Sequence, residues 1–160
     1  MTNPFSIAAL TIDPASETEH ICEKIRHQLS RQLKRRGIVL GLSGGIDSSV
    51  TAALAARAVG PKRVVALLMP ERNSAEETLS LSHLAADHAG IPTVLEDITG
   101  MLQAAGHYRR YEEAVRMVIP GYGDGWKSKI VTSSALSGKG FTYFSIVARS
   151  PEGEQITERL

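Results

Sequence analysis

The segment Gly41-Leu42-Ser43-Gly44-Gly45-Ile46-Asp47-Ser48 constrains the fold of this chain more than any other, because it places a glycine-rich turn between two stretches of opposite preference. Ile38-Val39-Leu40 before it is too short and too β-branched to be a helix, whereas Ser48-Ser49-Val50-Thr51-Ala52-Ala53-Leu54-Ala55-Ala56 after it is rich enough in alanine to continue as one. The turn therefore sits at a helix N-terminus. Backbone N–H groups without helical partners, and the positive end of the helix dipole, converge there on any anion in the loop. Gly44 and Gly45 carry no Cβ, so the backbone is free to take positive φ and to approach phosphate oxygens closely.

Two familiar phosphate loops are excluded by spacing. A P-loop needs a lysine directly after its last glycine, and none follows Gly45. The Gly-x-Gly-x-x-Gly dinucleotide fingerprint is absent, and Gly121-Tyr122-Gly123-Asp124-Gly125 follows no strand. A tight strand-to-helix turn accounts for Gly44 and Gly45 but not for Ser43, Asp47 and Ser48 together. Asp47 has two readings. A carboxylate beside a polyphosphate repels it unless a hard cation intervenes, and Mg²⁺ takes one or two carboxylates with phosphate oxygens and water. Equally, Asp47 caps first-turn N–H groups. Ser43 and Ser48 are hydroxyl donors for a phosphate, with Ser48 alternatively a first-turn serine facing water.

Apolar segments recur between helical ones. Ser16 and Glu19 have capping-box spacing, and Ile21, Ile25, Leu29 and Leu33 then recur every four residues as far as Gly37, predicting a first helix whose last turns carry Arg31, Lys34, Arg35 and Arg36. Val64-Val65-Ala66-Leu67-Leu68-Met69 reads as a strand buried on both faces, stopped by Pro70. Ser74 and Glu77 repeat the capping-box spacing before a helix through Leu81, Leu84 and Ala85 to Gly90. Its His83 and His88 are five apart, off the shared face a zinc pair needs, and are expected at the surface. Thr93 to Ile98 is the third strand. Strands alternating with helices imply right-handed crossovers and a doubly wound parallel sheet.

Composition sets the outer bounds. With 160 residues, 42% of them hydrophobic and 22% charged, the chain has the makings of one folded domain. A net charge of +1 predicts no general attraction to nucleic acid or to a membrane. No apolar run is long enough to span a bilayer and the first residues lack a signal-peptide pattern, so a cytoplasmic location is expected. The single cysteine, Cys22, is expected to pack as a small hydrophobe beside Ile21 and Ile25.

The wording Ser43-Gly44-Gly45-Ile46-Asp47-Ser48 resembles the pyrophosphate loop of the N-type ATP pyrophosphatases, enzymes that cleave ATP between the α and β phosphates. Within them, Gly-Leu-Ser-Gly-Gly-Ile-Asp-Ser-Ser-Val and the strand end Leu67-Leu68-Met69-Pro70 are similar to the NAD synthetase family, over roughly Glu19 to Ile98. The resemblance implies a Rossmann-like, adenine nucleotide alpha hydrolase-like α/β sheet, incomplete here. It implies a ligase that adenylates deamido-NAD with ATP, releases pyrophosphate and lets ammonia displace AMP to form NAD. ATP and Mg²⁺ are the implied cofactors. Gly41, Leu42, Ser43, Gly44, Gly45, Ile46, Asp47 and Ser48 are the implied ATP-binding residues, with Asp47 the metal ligand. Met69 is set either against adenine or in the core. No glutaminase segment precedes the loop, so free ammonia, or ammonia from a separate protein, is the implied nitrogen source. The family's later Thr/Glu motif and triphosphate lysine have no counterpart before Leu160, which implies a truncated or partial form; a Mg-ATP-binding module without turnover is the alternative. A homodimer, or completion by another chain, would cover the flank of the first strand.

The expected division is a nucleotide-binding half-domain over residues 1–118 and a loop and β-hairpin extension over 119–160. Tyr108, Tyr111, Val115 and Val118 keep a helical stripe, with Arg109, Arg110 and Arg116 set against water or phosphates. Phe141 to Ala148 and Gln155 to Leu160, joined across Ser150-Pro151-Glu152-Gly153, read as a hairpin. Trp126, Lys127 and Lys129 read as a loop anchor or as nucleotide contacts. No catalytic residue is assigned outside the loop.

Overall fold

The computed structural model describes residues 11–132 and 143–160, and the chain falls into two compact units, Met1–Thr99 and Gly100–Leu160. No helix among the described residues is long and apolar enough to cross a membrane.

The first unit runs α1 (Pro14–His27), a π-helical turn (Gln28–Gln32), β1 (Ile38–Gly41), α2 (Ile46–Val59), a 3₁₀ turn (Pro61–Arg63), β2 (Val64–Leu68), α3 (Glu76–Ala89) and β3 (Thr93–Leu95). Its sheet is parallel, in the order β1-β2-β3, with Val39 beside Val65 and Leu67 beside Val94. This is the expected parallel α/β arrangement. The core lies under one face of it, where Val64, Ala66 and Leu68 are buried with Ala52, Ala55, Ala56 and Val59 of α2. Small alanine side chains let α2 lie close over β1 and β2. Cys22 is fully buried, as expected, with its Sγ 3.6 Å from the Leu54 carbonyl oxygen. The expectation that β2 is buried on both faces is corrected: Val65 and Leu67 are only half-buried, and Val39 on the same face is 65% exposed.

Two helix starts differ from the capping boxes read in the sequence. Asp13, not Ser16, caps α1, its carboxylate accepting from the Ala15 N–H at 3.1 Å with Pro14 in the first helical position. Glu19 is thereby free for another partner, and the Arg57 Nε of α2 donates to it at 2.8 Å. The Arg57 guanidinium holds the Glu19 carboxyl below its ordinary value. Before α3, the Ser74 hydroxyl accepts from the Glu71 N–H at 3.0 Å, and Ala75 stands at the cap without a side-chain bond. The stripe of α3 turns accordingly, so that Leu79, Ser82, Ala86 and Ala89 face inward while Leu81 and Leu84 are exposed. Gly90, at φ +66°, closes α3 as read. The four-residue stripe of α1 also ends early. The π turn rotates the chain, Lys34 takes φ +50°, and Leu33 is left 62% exposed. β3 is shorter than the predicted Thr93 to Ile98, although Glu96 and Ile98 still donate to the Leu68 and Pro70 carbonyls.

The second unit contains α5 (His107–Val118), preceded by the short α4 (Thr99–Ala104), and an antiparallel sheet of β4 (Lys127–Thr132), β5 (Phe144–Arg149) and β6 (Gln155–Arg159). Val115, Ile119, Tyr122, Ile146 and Ala148 form its core. The hairpin β5–β6 is the predicted one, with Phe141 lying outside the described residues. The strand β4 is not predicted. Lys127 and Lys129 belong to it rather than to a loop, whereas Trp126 does pack against the core. Arg109 pairs with Glu113, Arg110 donates to the Ala105 carbonyl and Arg116 to the Tyr122 carbonyl, so these guanidiniums have protein partners.

Candidate functional site

A cavity of about 370 Å³ opens at the carboxyl ends of β1 and β2. Gly41, Leu42 and Ser43 line it from β1, Leu67 to Pro70 from β2, and Ser74, Thr78 and Ser82 from the side of α3. Strand ends of a parallel sheet are where such folds bind ligands, because loop backbone and helix N-termini meet there.

The loop is held from three directions. Leu42 continues the ladder past β1, its N–H donating to the Leu67 carbonyl at 3.0 Å. The Ser48 hydroxyl accepts from the Ser43 N–H at 3.3 Å and donates to the Gly45 carbonyl at 3.0 Å, closing the turn on itself. Ser48 therefore braces the loop instead of facing water. The Ser43 hydroxyl lies 3.2 Å from that of Ser48 and is exposed, placing a donor at the loop rim. Gly44 has φ +71°, and a Cβ there would fall 2.6 Å from the Leu81 Cβ and 2.9 Å from the Ser82 nitrogen. Only glycine fits that position.

Gly45 is the N-cap of α2, with extended backbone (φ −71°, ψ 158°) and no side-chain capping bond. The first-turn N–H groups are thus left without a side-chain acceptor, which is the arrangement an anion completes. Asp47, in that turn and exposed, does not cap the helix. The Ile46 side chain is 83% exposed, so only its backbone belongs to the loop. Met69 is 46% exposed and lines the cavity, its Cε reaching to 3.3 Å from where a Gly41 Cβ would stand. It is a wall of the cavity rather than a core residue. Ser74 is expected from the sequence only as a helix cap, and Thr78 and Ser82 carry no sequence expectation; the spacing of four among the three is the signal that marks them.

A three-stranded parallel sheet with helices, a glycine turn entering an uncapped helix and a cavity at the strand ends define a Rossmann-like α/β protein with an anion-ready loop. The NAD synthase family model matches residues 17–120, and the chain belongs to that family. It is 49% identical over 156 residues, 98% of its own length, to the NH(3)-dependent NAD(+) synthetase of Rhizobium meliloti (strain 1021), and covers 46% of that protein. It is 40% identical over 89 residues to the enzyme of the same name from Methanocaldococcus jannaschii, covering 56% of this chain and 32% of the other. Among solved structures, the NH3-dependent NAD synthetase from Campylobacter jejuni superposes with a TM-score of 0.54 at 33% identity, over 59% of this chain and 40% of the other. The chain spans about half the length of the rhizobial relatives it matches over nearly its whole length.

Proposed function

We propose that this chain supplies the ATP-binding part of an ammonia-dependent NAD(+) synthetase, in which ATP adenylates the carboxylate of deamido-NAD, pyrophosphate leaves, and ammonia displaces AMP. The observation that carries this reading is the uncapped N-terminus of α2 facing the Ser43–Gly45 loop at the mouth of the strand-end cavity. Family membership and the names of the relatives support it.

The α2 amides and the Ser43 hydroxyl hold the phosphates, while Ser48 keeps Ser43 in place. Charge that builds on the departing pyrophosphate meets donors already oriented toward it. Met69 covers one face of the adenine. Along β2, Leu67 is bonded toward β1 and the Leu68 and Pro70 carbonyls toward β3. Alternation then turns the Met69 peptide groups to the β1 side, where β1 has given way to the loop, and leaves them for the base edge. Asp47 would hold Mg²⁺, which would supply the positive charge that lets a carboxylate stand beside a polyphosphate. Asp47 fits that part because it is exposed, unengaged in capping and in the first turn of the helix that the loop enters. The cytoplasm and a homodimer complete the reading, the latter supported by the edge position of β1 among the described strands and by Val39, exposed on the face of the sheet.

Products decide the reaction class. Turnover of ATP by the chain, or by an assembly that contains it, is expected to release AMP and pyrophosphate; ADP and phosphate as main products would sink the reading. Asp47→Asn keeps shape and removes charge, so calorimetric ATP affinity in saturating Mg²⁺ is expected to fall about tenfold with little change when Mg²⁺ is chelated. Equal magnesium dependence in the two proteins would remove Asp47 from the metal.

A further inference from the structure

We infer that Ser82 is a positioning residue for the ATP loop, acting through the main chain of Leu42; the inference rests on the ATP reading above. Ser82 is only 2% exposed, in the middle of α3, where alanine is the better helix former and would fill the same space. Its hydroxyl lies 2.7 Å from the Thr78 carbonyl oxygen and 3.1 Å from the Leu42 carbonyl oxygen. The first contact is the ordinary back-bond of a helical serine and explains nothing further. The second joins residues 40 apart in the chain, and it reaches the loop at its root.

Leu42 is thereby held through both of its main-chain groups: its N–H donates to the Leu67 carbonyl of β2, and its carbonyl shares the single Ser82 hydroxyl proton with the Thr78 carbonyl. The next residues, Ser43 and Gly44, have little freedom left, because Gly44 lies directly against the Leu81 and Ser82 main chain. The height of the Ser43 hydroxyl over the cavity is set by this bond together with that close approach. Preorganised donors of this kind bind phosphate without having to reorder first.

The test compares Ser82→Ala and Ser82→Cys with the unmodified chain; alanine nearly keeps the volume and removes the hydrogen bond, whereas cysteine keeps a weak donor on a larger sulfur. Calorimetry with Mg·ATP is expected to show affinity reduced about tenfold in both variants. Amide hydrogen exchange is expected to accelerate at residues 42–45 while residues 83–89 of the same helix keep their protection. Wild-type affinity in Ser82→Ala, or exchange that rises evenly along α3, would assign Ser82 to structure alone and overturn the inference. A variant that does not fold leaves the unmodified chain as the probe. There, Mg·ATP must protect residues 42–45 and 78–82 together, and protection of the loop without α3 overturns the inference equally. Absence of Mg·ATP binding by the unmodified chain is a different failure, since it removes the site reading and the positioning role with it.

Discussion

Gly44→Ala is expected to cost about 2–4 kcal/mol of stability, the sum of holding a non-glycine residue at positive φ and of forcing a methyl into occupied space. The methyl would sit 2.6 Å from the Leu81 Cβ and 2.9 Å from the Leu81 carbonyl carbon, both part of a helix with no slack at that point. Neither neighbour is the far end of a flexible side chain. Either α3 moves away from the loop, opening the Ser82 contact to Leu42, or the loop rises out of the cavity. Gly90→Ala separates the two contributions, because Gly90 has φ +66° in the left-handed helical region but its missing Cβ meets only the Pro61 Cβ at an ordinary 3.8 Å. Thermal denaturation of the three proteins is expected to rank them wild type, Gly90→Ala, Gly44→Ala, with the last lowered by ~8 °C or more. A Gly44→Ala protein that melts with Gly90→Ala would mean that α3 does not press on the loop.

That contact shows where sequence reading stops. The turn between β1 and α2 is legible because its message is local: β-branched residues, then glycines, then alanines. Helix ends are read less well, since several residues compete for each cap. Asp13 with Pro14 outbids Ser16, and Ser74 spends its hydroxyl on Glu71. Once the start of α3 moves, its inward stripe moves with it, from Leu81 and Leu84 to Leu79, Ser82 and Ala86. Small residues on an inward face give a weak hydrophobic pattern, although they are what lets α3 approach the Gly44 backbone. β4 escapes for a related reason. Lys127-Ser128-Lys129-Ile130 alternates, but its inward position is the polar Ser128, bonded to the Tyr111 and Tyr122 hydroxyls at 2.8 and 3.0 Å, and Ile130 on the same side is left exposed, so the apolar signal for the strand is weak. Local chemistry names the loop, and long-range packing decides what braces it.

Gly45→Val is expected to remove Mg·ATP binding, lowering affinity ~100-fold or more, while the protein stays folded. The two adjacent glycines have different work, and the distinction is geometric. Gly45 sits at φ −71°, ψ 158°, an extended conformation that valine adopts readily, and a Cβ there meets only the Ser43 Oγ at an ordinary 3.5 Å. Valine is a poorer N-cap than glycine, which costs at most about 1 kcal/mol, far less than the Gly44 substitution. The fold does not require glycine at 45; the proposed ATP site does. The branched methyls would stand between the Ser43 hydroxyl and the first-turn amides of α2, both of which a phosphate would touch in that proposal. Gly45→Ala, with one methyl, is expected to fall between wild type and valine in affinity and to match wild type in melting temperature. Calorimetry with Mg·ATP on proteins of verified fold measures the series. Unchanged affinity in a folded Gly45→Val protein would place the phosphates elsewhere, because no bound phosphate oxygen can share that space with an isopropyl group.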